Sequence, residues 1–160
     1  MKVKHQLFVW GLILCITSFS AVVPVSKQTL ELKPGWNLVT LIRPLESLPG
    51  NVNKFLSLNP IGFDGQCNTY MICNGAEDFK AGAAYWIFSF KSQTVELALD
   101  TTQTDVQPAV KAGWNLVGMT AGASWPNSAV VIWAWKDGRF VQVDKTAVQI
   151  GYAYWAYFNA

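Results

Sequence analysis

Five consecutive residues occur twice in this chain: Gly35-Trp36-Asn37-Leu38-Val39 returns as Gly113-Trp114-Asn115-Leu116-Val117, 78 residues further on. Each copy is followed by a second shared phrase, Gly82-Ala83-Ala84-Tyr85-Trp86 and then Gly151-Tyr152-Ala153-Tyr154-Trp155. Two Trp-bearing phrases repeated in the same order imply a duplicated unit, and such repetition constrains architecture before any local propensity does. The expected division is a first β unit over 21–104 and a second over 105–160. The units form either one pseudo-twofold domain or two separate modules.

The first twenty residues read as an address rather than as part of the fold. Lys2 and Lys4 make a positive start, Leu7 to Ile16 is apolar, and Thr17 to Ala21 is small and polar, the order of a secretory signal peptide. Small Ser18 and Ser20 favour cleavage after Ser20, with Ala21 the neighbouring option. The apolar run falls short of the roughly 20 residues a membrane span needs, so no transmembrane segment is expected in the mature chain. A lipid anchor at Cys15 would require a small residue before it, where Leu14 stands. A retained anchor helix is the other alternative. The expected location is secreted, periplasmic or at the cell surface.

Lys2 and Lys4 are two of the twelve basic residues, so the chain after Ser20 balances ten cations against ten carboxylates. With no Lys/Arg cluster, nucleic acid and anionic membrane surfaces are poor partners. The one histidine, His5, lies in the leader. That removes imidazole from any catalytic triad and from any zinc, copper or iron site. No cofactor and no metal site are implied, and no D-x-D-x-D-G calcium loop occurs. Catalysis by paired carboxylates remains open in principle, with Asp64, Glu77, Asp78, Asp137 and Asp144 as the pool. Beyond Cys15 the cysteines are Cys67 and Cys73. An exported pair this close reads as a local disulfide across a hairpin or loop; two buried thiols or half a metal site are the alternatives.

Alternation and turn residues predict an all-β sandwich or barrel of about ten short strands, with one short helix in the first unit. Strands are expected over Thr29–Lys33, Trp36–Ile42, Tyr85–Phe90, Thr94–Leu99, Val106–Lys111, Trp114–Met119, Val130–Trp135, Phe140–Val143 and Tyr152–Phe158. The helix takes Val52, Phe55 and Leu56 on one face, before Asn59-Pro60. Asp137-Gly138 between two β-rich runs is a strong hairpin signal. The N-terminal strand is expected to close the sheet beside the C-terminal one. Within the repeat, Gly35 and Gly113, like Gly82 and Gly151, permit turns, while Trp36 and Trp114 would pin one sheet on another. Asn37 and Asn115 can bond local backbone at strand entry. Of each pair Tyr85-Trp86 and Tyr154-Trp155, one ring should be core and the other near the surface.

These phrases resemble a module of secreted and cell-surface prokaryotic proteins that runs from G-W-N-L-(V/I)-(G/S), through a W-x-(D/G)-G-x-(F/Y) hairpin, to G-x-(G/A)-Y-W-(V/I). Unit two carries all three parts, at Gly113–Gly118, Trp135–Phe140 and Gly151–Trp155. Unit one departs: Thr40 replaces the last small residue, and the Cys67–Cys73 segment replaces the Trp/Asp-Gly hairpin. The resemblance implies an extracellular β module accessory to adhesion or to larger surface proteins, and it transfers no catalytic residue. SH3-like modules that hold proteins to cell-wall polymers share a Gly-Trp signature but are strongly basic and lack Asn-Leu-Val.

The functional expectation is an exported, non-catalytic binding or interaction module whose partner is a protein or polysaccharide at the cell surface. Trp133 and Trp135 share one strand face and Trp125 lies nearby in sequence; with Asp137 they are the candidate binding residues, an aromatic strip for sugar rings. The alternatives are a structural subunit of a surface assembly, marked by an unpaired edge strand, and a carboxylate-dependent glycan-active enzyme.

Overall fold

The computed structural model describes residues 26–64, 67–103, 106–120, 123–125 and 128–159. The proposed leader lies outside the described residues. The elements in chain order are β1 (Lys27–Leu32), β2 (Gly35–Thr40), α1 (Pro49–Leu56), β3 (Ile61–Asp64), β4 (Thr69–Ile72), β5 (Ala84–Ser89), β6 (Gln93–Ala98), β7 (Gly113–Gly118), β8 (Ala129–Lys136), β9 (Arg139–Gln142) and β10 (Ala153–Phe158), with short 3-10 turns at Ala76–Asp78 and Lys145–Ala147. The fold is all-β with one short helix. Three antiparallel sheets form: β1-β6, β2-β5-β3-β4 and β7-β10-β8-β9.

The two four-stranded sheets have the same strand order, and their β2-β5 and β7-β10 pairs share one register. Trp36 faces Phe88, Leu38 faces Trp86 and Val39 faces Tyr85; Trp114 faces Tyr157, Leu116 faces Trp155 and Val117 faces Tyr154. The strand entries match to the atom. Asn37 Oδ1 accepts from the Lys33 amide at 2.9 Å while its Nδ2 donates to the Lys33 and Gly35 carbonyls. Asn115 does the same with Lys111 and Gly113. This clasp needs a left-handed glycine between its ends, and Gly35 and Gly113 supply it with φ of 94° and 96°.

Each sheet buries one face outward and turns its other face to its twin. Tyr85 and Ile87, with Phe55 and Phe79, form a first core beneath β1 and β6, which add Leu30, Leu32, Val95 and Leu97. Val117, Ile132, Ala134, Tyr154 and Phe158 form a second core, covered by Trp125, Val110, Val143 and Val148. Between the sheets Ala84, Leu116 and Ala153 are buried, with Leu38, Phe63, Trp86 and Trp155 packed against them. The expected core-and-surface split of each Tyr-Trp pair is present, since alternation sends Tyr85 and Tyr154 into the outer cores and the indoles toward the facing sheet.

Several expectations are corrected. Val106–Lys111 is not a strand: its counterpart β1 pairs with β6, and among the described residues no strand lies beside Val106–Lys111. For the same reason β1 does not lie beside β10. Trp36 and Trp114 do not pin the sheets together; they are 49% and 37% exposed near the strand ends, and the contact is made by Ala84, Leu116 and Ala153 with Leu38, Phe63, Trp86 and Trp155. Cys67 and Cys73 are not bridged. Cys67 sits in the β3–β4 turn and Cys73 beyond the far end of β4, separated by four strand residues or roughly 13 Å of extended chain. A disulfide needs Cα atoms within about 7 Å. Cys73 is instead buried among apolar side chains, and burial pushes its thiol above the ordinary range.

Candidate functional site

The hairpins place the aromatic rings. The Asp137-Gly138 turn has φ of 49° and 79°, both left-handed as the tightest hairpin turn demands, and it brings Trp135 opposite Phe140. In unit one Phe63 faces Tyr70 at the same place in the β3–β4 hairpin. Each hairpin reaches across to the other sheet. Trp135 and Phe140 pack edge-on against Trp86, with ring centres 5.0 and 6.0 Å away; Phe63 and Tyr70 pack on Trp155 at 4.6 and 6.4 Å. The indole Nε1 of Trp135 also donates to the Trp36 carbonyl at 3.0 Å.

Where the Trp135–Phe140 hairpin meets the first sheet, an open groove of about 450 Å³ remains, walled by Trp36, Ile61, Tyr70, Trp86, Trp135 and Phe140. The matching walls differ between the halves: Ile61 stands opposite Trp86, where Trp133 stands opposite Trp155. Trp36, Tyr70 and Phe140 all keep more than two-fifths of their surface in solvent, an apolar concentration that soluble surfaces seldom carry without a use.

The residues proposed from sequence are only partly brought together. Trp135 is a groove wall. Trp133 precedes it by two residues on the same strand face but lies outside the groove lining. Trp125 is on the opposite side of the sheet, against Tyr154 and Phe158 with its Nε1 sealed from solvent, and is a core wall rather than part of a strip. The expected strip of Trp125, Trp133 and Trp135 therefore does not form. Asp137 is in the hairpin turn two residues from Trp135, its carboxylate 3.8 Å from Lys33 Nζ, both fully in solvent. Sequence reasoning missed Ile61, Tyr70 and Phe140 as groove walls. The signal was the hairpin equivalence, hidden in unit one because Asn68, not an Asp-Gly pair, supplies the left-handed turn residue.

The carboxylates largely serve turns. Asp78 accepts from the Asn74 and Gly75 amides, and Asp144 accepts from the Thr146 amide and hydroxyl, bonds that hold its carboxyl below the usual range. Among the described residues no group of three or more His, Cys, Asp or Glu side chains is placed to hold a metal, and no helix is long and apolar enough to cross a membrane. No family model, no curated protein and no solved structure matches the chain.

Proposed function

We propose that the protein is an exported, non-catalytic binding module that takes a carbohydrate chain of the cell surface into the groove between Trp36, Trp86 and Trp135. The observation that carries this reading is the groove itself: six apolar side chains, four from one sheet and two from the other, around an open space of ligand size. The C–H faces of sugar rings pack on aromatic walls, and the rings here stand edge to face, so a pyranose meets both a flat indole and ring edges. Lys33, Asp137 and the Tyr70 hydroxyl supply hydrogen-bonding groups beside the apolar floor. The placement of acidic residues in turns supports a binding role over carboxylate chemistry.

Retention on insoluble cell-wall polysaccharides tests the reading. The chain should be held above a control protein, and Trp36→Ala, a truncation at an exposed strand end, should lose most of that retention while its circular dichroism stays unchanged. No retention of the unaltered chain on any such polymer would overturn it.

A further inference from the structure

We propose that β4 is a self-association edge, through which two copies of this chain join their first sheets into one continuous eight-stranded sheet. In the strand order β2-β5-β3-β4, β4 has a neighbour on one side only among the described residues. Its register fixes which backbone groups are free. Ile61 faces Ile72, and the Cys73 amide donates to the Pro60 carbonyl at 3.0 Å. In an antiparallel ladder bonded pairs alternate, so residues 69, 71 and 73 bond inward to β3. The N–H and C=O groups of Tyr70 and Ile72 point outward.

The strand is unprotected in the ways that matter. All four residues, Thr69-Tyr70-Met71-Ile72, are exposed, and none is charged. Native edges are ordinarily blunted by charge, proline or a bulge. The equivalent edge β9 follows that rule: it begins at Arg139 and is preceded by Lys136 and Asp137. The two edges descend from the same position in the fold, yet only β4 lacks charge. Asn74 Nδ2 donates to the Ile72 carbonyl at 3.1 Å, and a carbonyl keeps a second lone pair.

The occupant is a second copy because the strand is complementary to itself. With Met71 on a twofold axis, the Tyr70 N–H donates to the second copy's Ile72 carbonyl and the Ile72 N–H to the second copy's Tyr70 carbonyl. The symmetric bonds complete a set of four. No like charges meet, and Tyr70 and Ile72 are flanked by their equivalents on one face, as an isologous contact requires. A four-residue edge is small, so the dimer is weak and depends on concentration. Tyr70 belongs both to this edge and to the groove, so the test is placed on Ile72, which does not line the groove.

Sedimentation velocity of the full chain over a wide concentration range tests it. The apparent mass should rise toward double at the highest concentrations. Ile72→Pro removes only an outward-facing N–H, and Ile72→Lys places charge on an exposed position; both should hold the chain at monomer mass with unchanged circular dichroism. Gln142→Lys, at the matching place on β9, should leave dimerisation as it was. A chain that stays monomeric throughout, or a dimer that both Ile72 variants retain, would overturn the proposal.

Discussion

Thr40 and Gly118 end β2 and β7 at matching places, and the two residues meet. Thr40 is fully buried and its hydroxyl donates to the Ala83 carbonyl at 2.7 Å. A Cβ built on Gly118 would coincide with the Thr40 side chain, so at this crossing only one half can carry a side chain. That explains the departure at Thr40 from the small residue expected there. Gly118→Ala should destabilise the protein by about 3 kcal/mol, near the upper end for overpacking, because the neighbour is β-branched and cannot swing away. Thermal unfolding checks this, with a second variant as control. Replacing Thr40 by Gly and Gly118 by Thr together exchanges the roles, and should recover a clear part of what Gly118→Ala loses. Equal or greater loss in the double variant would contradict the contact.

At the scale of elements, the strands β5 and β10 clamp the turns that precede them. The Tyr85 hydroxyl accepts from the Lys80 amide at 2.7 Å and donates to the Asp78 carbonyl, and the Tyr154 hydroxyl accepts from the Gln149 amide at 2.9 Å. Burial raises both phenols, as it raises the Cys73 thiol. The folded chain thus keeps protons that the unfolded chain gives up at ordinary values near 9 and 10. Stability from these groups is fully present below the unfolded values and is lost as pH rises toward the folded ones. The Tm should be level from about pH 7 to about pH 9 and fall steadily above it, and Tyr85→Phe should reduce the slope; a level Tm through about pH 11 would contradict the burial of these groups. Much of this was legible in the sequence, where periodicity and turn residues marked β1, β2, α1, β5 to β8, the Asp137-Gly138 hairpin and β10. The β3–β4 hairpin was not, since its turn uses Asn68 and carries no Asp-Gly pair to mark it as the counterpart of β8–β9 in strand order. The strand expected at Val106–Lys111 fails for a reason no local pattern carries: a strand requires a partner, and none of the described strands lies beside it.

For the whole molecule, the twin sheets face each other through reciprocal hairpins, and the groove lies where the Trp135–Phe140 hairpin meets Trp36, Ile61, Tyr70 and Trp86 of the first sheet. Sequence alone marked Trp135 as a site residue but grouped it with Trp125 and Trp133, because spacing along a chain does not say which face of a sheet a loop residue will cover. The central claim is that two equivalent sheets are locked by exchanged aromatic contacts, Trp135 on Trp86 and Phe63 on Trp155. Two double-mutant cycles, each truncating one pair to Ala and reading chemical denaturation, test it most directly. Both cycles should give coupling of about 1 kcal/mol, of similar size in each, as edge-to-face aromatic pairs do. Coupling within error of zero in either pair would contradict the account.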